Sequence, residues 1–162
     1  MPISAAVSII TIENSDILIL KRAINSLDPW SGHLSLPGGK IDPEDSTPLD
    51  AAIRETREEC GIILTHSDAI ELPHEAAGMR QNRFLKVAPF HFNLNNHPVI
   101  ELQLEEHSDY YWVPIDYLMD RARHKKAHLS ISYPDTLFPY IDIEGTPLWG
   151  FTYKVLADFL NW

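Results

Sequence analysis

Pro37-Gly38-Gly39-Lys40-Ile41-Asp42-Pro43-Glu44-Asp45 leads, through Ser46-Thr47-Pro48-Leu49-Asp50-Ala51-Ala52-Ile53, into Arg54-Glu55-Thr56-Arg57-Glu58-Glu59-Cys60-Gly61-Ile62. Two glycines allow a tight bend and close backbone approach. Asp42-Pro43, Asp45-Ser46 and Thr47-Pro48 are turn formers. Thr47 then offers an N-cap with Pro48 at the first helical position, and Gly61 a stop, so the residues predict a helix from Pro48 to about Cys60. On that helix Glu55, Glu58 and Glu59 stand at i, i+3 and i+4 and share one face. Like charges so placed cost about 0.2–0.5 kcal/mol per pair. They also crowd the helix C-terminus, where the dipole disfavours negative charge. A solvated acidic face is the plain alternative. Beside a diglycine bend, a hard divalent cation is the better account, because it turns the repulsion into ligation.

Outward from this stretch the chain alternates strand and helix signals. Ile3–Ile12 and Ile17–Leu20 flank the turn Asn14-Ser15-Asp16 and predict a hairpin. His33–Leu36 reads as a short strand before Pro37. Ile62–Leu64, Arg83–Phe92 and Tyr110–Val113 read as strands, and Pro114 opens a short helix through Met119. Residues 121–128 are basic and carry His124 and His128. Phe138–Ile143 and Thr146–Leu148 form a second hairpin about Glu144-Gly145. The chain closes on a helix from Gly150 to Leu160, with an apolar stripe at Phe151, Val155, Leu156, Phe159 and Leu160. Strands, helix, strands, helix predict an α/β (α+β) sandwich with a mixed sheet, and 162 residues suit one domain over 1–162.

Composition narrows the function. The apolar share is 44% and the charged share 22%, as in ordinary globular proteins. One cysteine, Cys60, rules out an intrachain disulfide and points to a reducing, cytoplasmic setting. The start lacks the basic region of a signal peptide, and no apolar run approaches the ~20 residues of a membrane span. A net charge of −10 argues against broad contact with nucleic acid. It also means that an anionic substrate needs local positive charge, which a bound metal supplies.

Gly39, Asp45, Arg54-Glu55, Glu58-Glu59 and Gly61-Ile62 together resemble the signature of the Nudix hydrolases, G-x5-E-x7-R-E-U-x-E-E-x-G-U, where U is a bulky aliphatic. Three departures stand out. Asp45 replaces the usual Glu, one extra residue precedes Arg54, and Thr56 takes an aliphatic position. The first two look like the coenzyme A pyrophosphatase-like branch, whose P-G-G-x-x-D-x-x-D pattern matches Pro37 to Asp45. Lys21-Arg22-Ala23, Asp28-Pro29-Trp30-Ser31-Gly32-His33 and Trp149-Gly150-Phe151-Thr152-Tyr153 are also similar to that branch. Its Leu-Arg and Phe-Pro-Gly-Gly elements are absent, since Leu36 precedes Pro37.

The resemblance implies a Nudix-type α/β/α sandwich with a loop-helix-loop catalytic motif. It implies cleavage of a diphosphate bond in a small nucleoside diphosphate-linked metabolite, with a coenzyme A-like substrate favoured. The alternatives are ADP-ribose or another nucleotide sugar, a nucleoside triphosphate, and a non-catalytic nucleotide-binding module. It implies Mg²⁺ or Mn²⁺ held by Glu55, Glu58, Glu59 and the Gly39 carbonyl, with Arg54 orienting the carboxylates and Asp45 supporting the loop or the arginine. A homodimer is also implied. A general base from outside the signature would be Glu101, Glu105, Glu106 or Asp109. Glu106, several positions before Trp112-Val113-Pro114, fits the family spacing best.

Other candidates rest on chemistry alone. Arg22, Arg80 and Arg83 offer forked donors to phosphate. His33, Gly38 and Gly39 are further candidates for substrate contacts. Trp30, Phe84 and Tyr111 could stack on a base, with core packing as their ordinary role. Cys60 reads as inert. His124 and His128 lack a third ligand for zinc.

Overall fold

The computed structural model describes residues 2–28, 31–78 and 84–162. Strand β1 (Ile3–Ile12) turns at Glu13 and Asn14, both with positive φ, into β2 (Asp16–Arg22). The two pair only near the turn, at Thr11–Ile17 and Ile12–Asp16. Beyond that they diverge. The next segment fills the gap, β3 (Leu34–Ser35) pairing with β2 and β4 (Gly38–Lys40) with β1. The diglycine is thereby wedged into the sheet beside Ala6 and Val7.

Helix α1 (Pro48–Cys60) follows with the predicted ends. Thr47 and Asp50 form a reciprocal capping box, and Gly61, at φ 74°, donates its N–H to the Arg57 carbonyl. A 3-10 turn at His66–Asp68 leads to β5 (Ala69–Glu71) and β6 (Glu75–Gly78). Both lie antiparallel to β7 (Phe84–Leu94), which runs parallel to β1. Strand β8 (His107–Pro114) pairs antiparallel with β2. The sheet is therefore mixed, as expected. Helix α2 (Ile115–Met119), a 3-10 turn at Arg121–Arg123 and β9 (Lys125–His128) come next. Strands β10 (Leu137–Ile143) and β11 (Thr146–Trp149) join β9 in a second, three-stranded antiparallel sheet, and α3 (Gly150–Leu160) ends the fold.

Alternation along β1 and β2 splits the core in two. Ile10, Leu18 and Leu20 face α1, with Ala51, Ala52 and Cys60. Ile9, Ile17 and Ile19 face the other side, with Leu118 of α2, Ile141, Leu148, and Val155 and Leu156 of α3. Helices thus cover both faces, which is why these strands read as unbroken apolar runs. Each fully buried Ile or Leu contributes about 1.5–3 kcal/mol. That outweighs the charge crowding on α1, so packing holds the helix where its exposed face would not.

The expected strand at Ile62–Leu64 is not present. Ile62 and Leu64 are buried and Ile63 is 71% exposed, so the alternation is real. Among the described residues no strand pairs with it, and the segment remains a connection packed against α1. Among the described residues, no helix is long and apolar enough to cross a membrane.

Candidate active site

The site lies where β4 meets the C-terminal half of α1. A Cβ on Gly38 would collide with the Ala6 carbonyl oxygen, and one on Gly39 would lie 2.7 Å from Glu55 Oε1. Only glycine lets the backbone pass between the sheet and the Glu55 carboxylate. Gly38 donates its N–H to Glu59 Oε2 at 3.3 Å, tying the bend to the helix.

Arg54 organises the rest. Its Nε and Nη2 grip both oxygens of Asp45, at 3.1 and 2.9 Å. Nη1 donates to Glu55 Oε1 at 3.0 Å and Glu58 Oε2 at 3.2 Å, and Nη2 also reaches the Lys40 carbonyl. One forked guanidinium thus fixes the loop and two helix carboxylates together. The Arg54 hydrogen bonds hold Asp45 below the usual carboxyl range, while Asp45 in turn raises Arg54. Asp45 also accepts the Asp42 N–H at 2.8 Å, closing the loop. Asp45, expected to support the loop or the arginine, contacts both.

The carboxylates themselves are crowded. Removal from water, then the charge of Glu59 and to a lesser degree Glu58, push Glu55 up to about 7 against the opposing pull of Arg54. Glu58 is half exposed, whereas Glu59 is 4% exposed. The Glu59 side chain receives nothing from Arg54, and its partners are the Gly38 N–H and, at 3.3 Å, His107 Nε2. Such a group of oxygens, with one buried carboxylate that has no Arg or Lys partner among the described residues, suits a divalent ion.

The segment before β8 closes the site. Carbonyls at the end of α1 need donors. The Glu101 N–H bonds the Cys60 carbonyl and the Gln103 N–H the Glu59 carbonyl. This strap sets Glu106 and His107 beside Glu59, with one ligand atom from each of the three within 4.8 Å of the others. Among the outside candidates for a base, only Glu106 joins a cluster of this kind among the described residues. Glu101 sits over Gly61, and Asp109 pairs with Lys21 across β8 and β2. Glu105 is exposed.

His107, which sequence reasoning overlooked, is 1% exposed. It stands 48 positions from Glu59, and no local spacing announces the contact. The second overlooked feature explains Thr56. Its hydroxyl donates to the Ala52 carbonyl and meets Ser8 Oγ of β1 at 2.9 Å, so a buried polar pair occupies the aliphatic position.

Of the remaining candidates, Arg22 lies across the sheet from His107. Arg22 donates to Asp28 at 2.8 Å. His33 packs edge-on against Trp149 at 5.6 Å, and burial lowers its pKa. Trp30, Arg80 and Arg83, and the side chain of Phe84, lie outside the described residues. Tyr111 packs against the core face opposite α1. Burial pushes the Cys60 thiol up to about 12, consistent with an inert role. His124 bonds Tyr153 Oη and the Leu118 carbonyl, so both its nitrogens serve packing.

Known proteins resemble the chain in sequence and in fold. The chain is 28% identical over 124 residues to Nudix hydrolase 3 of Caenorhabditis elegans, covering 74% of this chain and 50% of that protein. It is 34% identical over 107 residues to the peroxisomal coenzyme A diphosphatase 1 of Saccharomyces cerevisiae, covering 62% of this chain and 30% of the relative. The chain spans about half or less of the length of these relatives. A MutT/nudix family protein from Enterococcus faecalis shares the fold, with TM-score 0.66 at 14% identity over 96% of this chain and 60% of that one. The family model for the NUDIX domain matches residues 2–132. With the wedged diglycine, the Arg54 fork and the helix carboxylates lying inside that match, the chain belongs to the Nudix family.

Proposed function

We propose that this chain is a divalent-metal-dependent hydrolase of a diphosphate bond in a small nucleoside diphosphate-linked metabolite. The observation that carries the reading is the cluster of Glu55, Glu58 and Glu59 against the Gly38-Gly39 bend, with Arg54 linking Glu55 and Glu58 and the Gly38 N–H holding Glu59. Mg²⁺ or Mn²⁺, held by these carboxylates and the Gly39 carbonyl, would offset phosphoryl charge and lower the pKa of a bound water. The chain's own residues do the rest. Arg54 keeps Glu55 and Glu58 in place without reorganisation. Glu106, exposed at the rim beside Glu59, serves as a further ligand or accepts the proton of the attacking water. Gly38 spends its N–H on Glu59, so its part in substrate binding is to hold that carboxylate.

The substrate we favour is coenzyme A-like, because Pro37 to Asp45 carries the pattern of that branch and a relative is named a coenzyme A diphosphatase. Arg22, Arg80, Arg83 and His33 are the candidates for phosphate contacts, with Arg22 meeting substrate as an already paired guanidinium. Residues 1–162 act as one unit, since β10, β11 and α3 complete the core that β1 and β2 begin.

The test is to incubate the protein with coenzyme A, ADP-ribose and GDP-mannose, with Mg²⁺ or Mn²⁺ and with chelator, and to weigh the products. Metal-dependent release of 4′-phosphopantetheine supports the reading in full. Cleavage of a sugar nucleotide alone replaces the substrate and keeps the chemistry. No cleavage of these three or of a nucleoside triphosphate rejects it in favour of a binding module. Glu59→Gln is expected to lower turnover by at least about 100-fold with the fold retained.

A further inference from the structure

His107 opens β8 with its imidazole almost wholly out of water, and among the described residues neither ring nitrogen makes a hydrogen bond. Polar groups buried this deeply nearly always have a partner. The ring is aimed at Glu59, with Nε2 3.3 Å from Oε2. Glu59 is itself buried, and the described residues give its carboxylate no Arg or Lys partner. Glu106, exposed at the rim, completes the group and leaves a way in from solvent.

We propose that Glu59, Glu106 and His107 form a mixed oxygen–nitrogen metal position, with His107 as a direct ligand, that takes a divalent first-row transition ion in preference to Mg²⁺. Its place beside a diphosphate rests on the function proposed above; ion binding itself does not. The spacing suits an ion. Bonds of about 2.0–2.2 Å put neighbouring octahedral ligands roughly 3 Å apart and opposite ones roughly 4.4 Å apart. The 3.3 Å separation of Nε2 and Oε2 fits neighbours, and all three donors lie within 4.8 Å. The donor set gives the preference. Mg²⁺ keeps to oxygen ligands and gives up water reluctantly, whereas imidazole nitrogen suits Zn²⁺, Fe²⁺, Ni²⁺ and Cu²⁺ best and Mn²⁺, the weakest binder of the series, still accepts it more readily than Mg²⁺ does. The cluster around Arg54 is different in kind. Glu55 and Glu58 are all-oxygen, already share a guanidinium, and would serve Mg²⁺.

The experiment is pulsed EPR on the full-length protein loaded with Mn²⁺, with Mn²⁺ and Mg²⁺ titrations alongside. The wild type is expected to show a directly bound ¹⁴N. His107→Gln should abolish it and weaken Mn²⁺ binding at least about tenfold, with Mg²⁺ binding changed less than about twofold. If thermal melting shows that His107→Gln does not fold, Glu106→Gln takes its place, and should weaken Mn²⁺ binding about tenfold while retaining the nitrogen signal. Absence of bound nitrogen at saturating Mn²⁺ overturns the proposal. So does nitrogen retained in His107→Gln, equal weakening of both ions in that variant, or unaltered Mn²⁺ affinity in Glu106→Gln. Bound nitrogen without diphosphate cleavage removes the hydrolase reading and leaves this site. Cleavage with Mg²⁺ and no bound nitrogen does the reverse.

Discussion

At Glu55 the crowding of the site becomes measurable. Its carboxyl moves from the ordinary 4.5 to about 7, chiefly because it has left water. Between those values the folded chain holds a proton that the unfolded chain has released. Metal-free stability from this group therefore falls as pH rises from about 4.5 to about 7. In chelator, the melting temperature should drop across that window in the wild type by more than in Glu55→Gln, and Mg²⁺ or Mn²⁺ should restore it. Equal drops in both would show that Glu55 is not the source. Gly39→Ala tests the same spot from the backbone side. The added methyl meets Glu55 Oε1 at 2.7 Å, so one of the two must move. A displacement of about 1 Å at a catalytic group costs about 100-fold in rate. Steady-state kinetics should show that loss, and unchanged kinetics would remove the close approach from the account.

Helix α1 shows what local sequence can and cannot convey. Thr47, Pro48 and Gly61 mark its ends, and each acts locally, so both boundaries were legible. Thr47→Ala should cost about 1 kcal/mol by removing the cap, a fall of about 2–4 °C in melting temperature, with activity intact at lower temperature. Thr56 was legible only as a departure from pattern, because its reason is Ser8, 48 residues away on β1. Thr56→Val removes the short Ser8–Thr56 hydrogen bond from the core, leaving Ser8 Oγ its 3.5 Å bond to the Ala52 carbonyl, and should destabilise by about 0.5–1.5 kcal/mol. Adding Ser8→Ala should recover part of that loss, and a chemical-denaturation double-mutant cycle would read the coupling. Ile62–Leu64 failed as a strand for a related reason. Alternating burial specifies an extended chain, but a strand also needs a neighbour, and that is a property of the sheet.

Over the whole molecule, the site depends on two long-range placements. Divergence of β1 and β2 opens the gap that β3 and β4 fill, which sets the diglycine against α1. The strap at Glu101 to Glu106 binds the free carbonyls of α1 and delivers Glu106 and His107. The acidic helix and its glycine bend could be read from sequence because they are neighbours along the chain. His107 could not, since its role exists only once the strap is in place. The central claim is that the carboxylates of α1 grip divalent ions. An anomalous difference map from crystals soaked in Mn²⁺ tests it most directly. The account predicts peaks within coordination distance of Glu55, Glu58 and Glu59. Those three side chains without ions at full soak, with manganese bound elsewhere or nowhere, would contradict it.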